Sequence, residues 1–467
     1  MMNKVRFSAI FAALTLLFLT ISPVHGAETA PQTETRPTPV IIEEISRLLS
    51  EFKYSDAIAL FDTINPVDAA EPGIKLLKAS VLNSAGKINE ARSIAEGVSK
   101  AEPNDLDALF VLSAIEAAAG RTRQQKTLLE RIIKIDPKNT GALTDLGNIS
   151  LEAGQYQNAA KYFDEVLALL PQNLEALLGR AKVYRYQNNP KGAEELYNKA
   201  ISIFPNEAIV WHNRARLYRG TGFPKEALAD LDKARTLDPN DYWIAIDRGN
   251  VLLDMNQKAE ALTNYKRAIE IDPDVFLAYV YSAGIKDDLG DIDGAGADYE
   301  ILARLKPDYP YAFEGLGMHK MRDGQYEAAK NAFQETYRLL PEEWCYALLA
   351  AVNWMKLSNT NGIRPFLNQV MNKQKRDSME YFLCRLYYDL SGKVYSGESD
   401  MVSKADLEKN ELTKARLIFY LANYFDIKGN TTIADKYFLQ FKEMDQRGIP
   451  EWRLNEWLLE TRGIMPY

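Results

Sequence analysis

At 467 residues, with 46% hydrophobic and 26% charged, the chain has the composition of a folded protein rather than a disordered one. Its net charge of −8 argues against a nucleic-acid partner, because phosphate binding needs a clustered excess of Lys and Arg. Two cysteines, Cys345 and Cys384, are too few for a disulfide framework and lack metal-ligand spacing.

The chain opens on a targeting signal. Lys4 and Arg6 precede the apolar run 7–21, and Pro23, Val24, His25, Gly26 and Ala27 follow. A positive start, a short apolar core and small residues at a plausible cut read as a secretory signal peptide over residues 1–26. The run falls short of the roughly 20 residues that span a bilayer. The expectation is export to a periplasmic or secreted location, with membrane contact only if the segment stays uncleaved as an anchor. Residues 27–40 are rich in Thr and Pro, show no apolar periodicity and read as a flexible tether.

Beyond the tether the chain repeats. Pro103, Pro137, Pro171, Pro205, Pro239, Pro273, Pro307 and Pro341 follow one another at intervals of 34 residues. Proline disfavours helix in the residue before it and donates no helical hydrogen bond, so each one ends a helix and starts a turn. Between prolines lie two amphipathic stretches divided by a Gly or Asn: Gly120, Gly154, Asn188, Gly222, Asn256, Gly290 and Gly324. Five residues later a small residue recurs (Ala159, Ala193, Ala227, Ala261, Ala295, Ala329). Four after that comes a large one (Phe163, Tyr197, Leu231, Tyr265, Tyr299, Phe333). A small residue facing a large one lets two antiparallel helices approach without leaving a cavity. Such a helix–turn–helix unit cannot bury its apolar face alone and must stack on its neighbours.

This register resembles the tetratricopeptide-repeat family, whose 34-residue signature runs W-L-G-Y in the first helix and A-F-A-P in the second. The unit starting at Thr140 carries Leu143, Leu146, Gly147, Ala159, Phe163 and Pro171. The next, from Leu174, carries Ala181, Tyr184, Ala193, Tyr197, Ala200 and Pro205. The third, from Ala208, carries Trp211, Ala215, Tyr218, Ala227, Ala234 and Pro239. The regular array covers 106–343. Degenerate pairs occupy 41–105, with Ala57, Phe61, Gly86 and Ala91 in register, and 344–467. In the latter stretch Ser358 and Gly392 fall at divider positions, and the tail reads as a final helix with Trp452 and Trp457 covering the open end. The resemblance implies an all-α, right-handed superhelical solenoid of about twelve stacked helix pairs.

Chemistry is sparse. Beyond the signal only His212 and His319 remain, several units apart, and no HExxH, phosphate loop or GxSxG motif occurs. Asp291, Asp293, Gly294 and Glu300 match part of a calcium loop, but Leu289 stands at the first ligand position and the same residues fill a repeat turn. The expectation is a protein with no enzymatic activity, no cofactor and no metal site.

The resemblance implies a concave groove lined by the first helices. Its positions place Asn148, Lys182, Arg185, Tyr186, His212, Asn213, Arg216 and Arg219 there, followed by Asp247, Asn250, Asp254, Asp287 and Asp288. Arg180, Arg214 and Arg248 match a frequent framework position and are set aside. Two readings stay open for the charged positions. Arg and Asn offer directed hydrogen bonds to carboxylates and peptide backbone, so the groove grips an extended or helical protein segment carrying acidic groups. Alternatively the charges pair between repeats, as Arg216 with Asp247, on a solvated face where such pairs contribute about 0–1 kcal/mol. The family's clamp for chaperone tails is not carried over, because its positions hold Thr144, Asn148, Gly179, Ile209 and Asn213. The expected function is a protein-interaction scaffold or assembly factor of the cell envelope. The alternatives are a membrane-anchored adaptor and a solenoid for glycan or cell-wall polymer, the last using Tyr186, Trp243 and Tyr311.

Overall fold

A proline ends a helix, and an Asn or Asp two residues later starts the next by accepting its free N–H groups. In the computed structural model, which describes residues 36–357, 360–394 and 397–464, this punctuation recurs along the chain. Asp105, Asn139, Asn173 and Asp241 each stand two residues after a proline and cap the following helix. Asn173 Oδ1, for example, accepts from the Ala176 N–H at 2.8 Å. Among the described residues there are twenty-six α-helices and no strand, stacked as adjacent pairs in an all-α repeat solenoid. None of these helices is long and apolar enough to cross a membrane.

Within each pair of the regular array the turn is set by one residue with positive φ. At Gly154 φ is 70°, and the following N–H, of Gln155, reaches back to the Ser150 carbonyl at 2.8 Å. This closure satisfies a carbonyl that the helix end would leave open. Asn188 and Asn256 hold the same conformation, at 57° and 59°, as asparagine tolerates better than other side chains. Farther along, the register departs from expectation. Lys393, at φ 57°, takes the left-handed position instead of Gly392, whose φ is −94°. Ser358 lies outside the described residues.

The chain divides into two compact units, Met1–Leu237 and Asp238–Tyr467. The first holds six helix pairs, from Thr38–Ser50 with Tyr54–Leu60 to Ala208–Gly220 with Pro224–Leu237. Its first helix starts inside the stretch read as tether. Thr38, Pro39 and Val40 are helical, and Pro39 sits in the first turn, where its missing N–H has no helical partner to lose. The signal segment 1–26 and residues 27–35 lie outside the described residues. The second unit also holds six pairs, from Tyr242–Asp254 with Lys258–Ile271 to Glu411–Ile427 with Thr431–Glu443, and then the helix Pro450–Thr461.

Packing between paired helices follows size. Ala159, Ala193, Ala227, Ala261, Ala295 and Ala329 are wholly buried, as are Phe163, Tyr197, Tyr265 and Phe333. The first helices contribute glycines to the same contact. A Cβ on Gly249 would fall 2.7 Å from the Tyr265 ring of its own pair, and one on Gly179 2.4 Å from the Phe163 ring of the preceding pair. The large ring therefore occupies the space that a side chain on the facing helix would need. Cys345 and Cys384 are free thiols in the core of the second unit. Burial pushes both thiols up, that of Cys384 to about 12.

The last helix does more than close the end of the stack. Trp452 packs on Phe441 of the preceding helix, with ring centroids 5.9 Å apart. Trp457 instead lies 5.2 Å from His319, on Pro310–Arg322 in the third pair of the unit. The helix thus folds back across three pairs, a correction to the reading that both tryptophans cover the open end.

Candidate functional site

In the first unit, consecutive first helices Leu174–Tyr186 and Ala208–Gly220 bring their last turns side by side. Cations are favoured there by the negative end of each helix dipole. Lys182 and Arg185 come from one helix and Arg216 from the next, close enough that both arginines act on the Lys182 ammonium. Burial first, and then Arg185 and Arg216, push Lys182 below the usual lysine range, while Glu152 on the preceding first helix pulls the other way. Three cations thus converge there, and Glu152 acts on Lys182 against the other two.

Aromatic rings border this cluster. Tyr186 is 52% exposed and stacks on Tyr156 of the preceding pair, with centroids 5.3 Å apart and planes 8° from parallel. The Arg185 guanidinium lies 5.1 Å from the Tyr186 ring centroid, a contact that fixes the side chain at about 0.5–1 kcal/mol. Beneath them, the wholly buried Tyr197 hydroxyl has no hydrogen-bond partner. Burial pushes this phenol up to about 12, against the opposing pull of Arg185 and Arg216. Two periods later the matching hydroxyl, of Tyr265, donates to Asn250 at 2.7 Å. In the basic pair the position of Asn250 is held by Lys182, which carries no acceptor.

The candidate residues therefore separate. Lys182, Arg185 and Arg216 form the cluster with Tyr186 at its edge, and Arg219 and Asn148 are exposed on the neighbouring first helices. His212 and Asn213 are 2% and 4% exposed and face the interior, not the solvent. Asn213 donates to the Ile209 carbonyl at 2.7 Å, back-bonding along its own helix. Both are corrected from groove surface to interior packing, because their side chains are almost wholly buried. Tyr156, Glu152 and the Tyr197 hydroxyl were not singled out in the sequence. Tyr197 read there only as the large member of a packing pair, and Tyr156 opens a second helix, away from the positions scanned.

The framework arginines bridge first helix to second. Arg214 makes two bonds of 2.7 Å to Asp230 and one of 2.6 Å to Asn198. Arg180 reaches Asp164 at 2.8 Å, and Arg248 reaches Asn264 at 3.3 Å.

In the second unit the acidic positions serve internal bonds. Asn250 is 6% exposed and engaged by Tyr265, so it too is corrected to interior packing; its amide lies 3.5 Å from the half-buried Asp247. Asp288 accepts from Lys258 at 2.7 Å, and Asp287 from Tyr299 at 3.1 Å, with His319 Nε2 also at 3.1 Å. The residues resembling a calcium loop are likewise engaged. Asp291 caps its helix by accepting from Gly294 at 3.1 Å, Asp293 pairs with Arg322 and Glu300 with Lys320. Among the described residues no group of three or more His, Cys, Asp or Glu is placed to hold a metal ion.

Two family models, both described as tetratricopeptide repeat, match residues 150–217 and 246–310. No curated protein matches the chain. Similar solved structures include a tetratricopeptide repeat protein from Parabacteroides merdae, 20% identical over 52% of this chain and 96% of that one, with a TM-score of 0.44. A thermophilic TPR protein of Thermus thermophilus is 24% identical over 38% of this chain and 98% of its own, with a TM-score of 0.36. The pilF protein of Pseudomonas aeruginosa is 20% identical over 44% and 94%, with a TM-score of 0.39. Repeat period, paired helices, buried signature residues and both matched stretches agree that the chain carries tetratricopeptide repeats, and proteins built of such repeats are generally protein-interaction scaffolds without catalytic activity.

Proposed function

We propose that this chain is an assembly scaffold of the cell envelope that holds an acidic protein segment against the basic face of its first unit. The observation that carries the reading is the convergence of Lys182, Arg185 and Arg216 beside the exposed Tyr186–Tyr156 stack. Burial first, and then its cationic neighbours, lower the Lys182 ammonium, so an incoming carboxylate both supplies a counter-charge and relieves the repulsion from Arg185 and Arg216. Arginine can add bidentate hydrogen bonds, and the stacked tyrosines offer a rigid apolar surface beside them. Placement in the envelope rests on the signal-like sequence of residues 1–26. If that segment is retained, the same scaffold is an adaptor held at the membrane.

The test is capture of partners from the native cell envelope by wild type and by Arg185→Glu/Arg216→Glu. The variant is expected to lose at least tenfold in capture with an unchanged far-UV circular dichroism spectrum, and wild-type capture is expected to fall as salt rises. Equal capture by both proteins would remove the basic face from the account. Capture insensitive to salt and competed by a polysaccharide would favour the glycan reading.

A further inference from the structure

The helix Pro450–Thr461 buries a carboxyl group at the centre of its contact with the second unit. Glu451 is 0% exposed. Its Oε1 lies 3.0 Å from the Tyr420 hydroxyl on Glu411–Ile427, and the same hydroxyl lies 3.0 Å from the Cys345 carbonyl oxygen. A carbonyl oxygen only accepts, so the single phenolic proton can serve Cys345. The carboxyl then keeps its contact with Tyr420 by donating a proton of its own. Glu451 Oε2 has no hydrogen-bond partner, and an ionised carboxylate would leave that oxygen charged and bare.

The charges around Glu451 are mixed. From Glu411–Ile427, Arg416 Nε forms an ion pair with it at 3.5 Å without hydrogen-bond geometry. Glu343, in the turn before Cys345–Met355, adds negative charge. So does Glu314 on Pro310–Arg322, which itself accepts from Tyr346 at 2.8 Å. Along its own helix, Arg453 and Glu456 approach each other at 3.9 Å. His319 and Arg322 face Trp457 from Pro310–Arg322, and Glu451 acts on the buried Cys345 thiol.

We propose that the C-terminal helix is a proton-dependent clasp, docked with Glu451 protonated and loosened when Glu451 ionises. Release would open the cavity of about 350 Å³ that the helix helps to enclose, lined by Tyr299, Tyr311, Glu314, His319, Arg453 and Trp457. Burial first, then Glu343, raises Glu451 above the ordinary carboxyl range, while Arg416, the residue's own backbone N–H and, when its hydroxyl turns to the carboxylate, Tyr420 oppose the shift. The sign follows from linkage. A carboxyl raised on docking favours the docked state fully below its undocked value and loses that contribution as pH climbs through its docked value. Within that window the docking constant falls by up to about tenfold per pH unit.

The test is hydrogen exchange of the full chain over the helix Pro450–Thr461, from pH 4.5 to pH 8 and corrected for intrinsic exchange, in wild type and Glu451→Gln. Wild-type protection should fall as pH rises, and the Gln variant, an uncharged mimic of the acid, should stay protected throughout. Wild-type protection that does not change with pH overturns the proposal. So does a pH dependence that survives in Glu451→Gln, which would assign it to another group such as His319. A Gln variant unprotected at every pH also overturns it, because a neutral side chain of the same shape ought to dock.

Discussion

Gly179→Ala should destabilise the first unit by about 1–3 kcal/mol, although alanine is the better helix former. The new Cβ would meet three atoms of the Phe163 ring at 2.4 to 2.7 Å. That ring is wholly buried and cannot swing aside without opening the packing around Ala159 and Val166. The control is Gly97→Ala, in the helix Ile88–Ala101, where the added Cβ meets nothing within 4 Å. There only backbone entropy and propensity change, and the variant should gain about 0.5–1 kcal/mol. Urea unfolding of both proteins measures the contrast. Equal shifts in the two would mean that the close approach of first and second helices is misplaced.

Arg214→Met should cost about 2–4 kcal/mol, because it strips both hydrogen bonds from an Asp230 that is 4% exposed. The same guanidinium also ties Asn198 of the previous pair, so loosening should reach across the pair boundary. A second variant, Arg214→Met/Asp230→Leu, removes the stranded charge as well and should recover most of the loss. Thermal unfolding of the three proteins decides the matter. A single variant as stable as wild type would show that the bridge is worth no more than an exposed ion pair.

How much of this was legible in the sequence depends on which residues repeat. Proline spacing and divider residues recur in every regular unit and the small-to-large alternation in most, so backbone punctuation and helix faces could be read directly. The register failed where one unit departs from the others. Lys393 rather than Gly392 turns the chain, and Trp457 packs three pairs back instead of on the last one. Neither position has a counterpart elsewhere in the array. The site was legible only as a set of positions. Charge type placed Lys182, Arg185 and Arg216, but period alone could not reveal that His212, Asn213 and Asn250 are covered. The unpartnered Tyr197 hydroxyl was equally hidden, because the pattern specifies ring size and says nothing of what its oxygen meets.

The most direct measurement is site-specific photo-crosslinking in native cells, with a photoreactive phenylalanine in place of Tyr186 and, separately, of exposed Lys161 on the second helix Tyr156–Leu169. The account predicts a discrete protein adduct from position 186, absent from position 161 and lost when Arg185→Glu/Arg216→Glu is added. No adduct at 186, or the same adduct at both positions regardless of the charge reversal, would contradict binding at the basic face of the first unit.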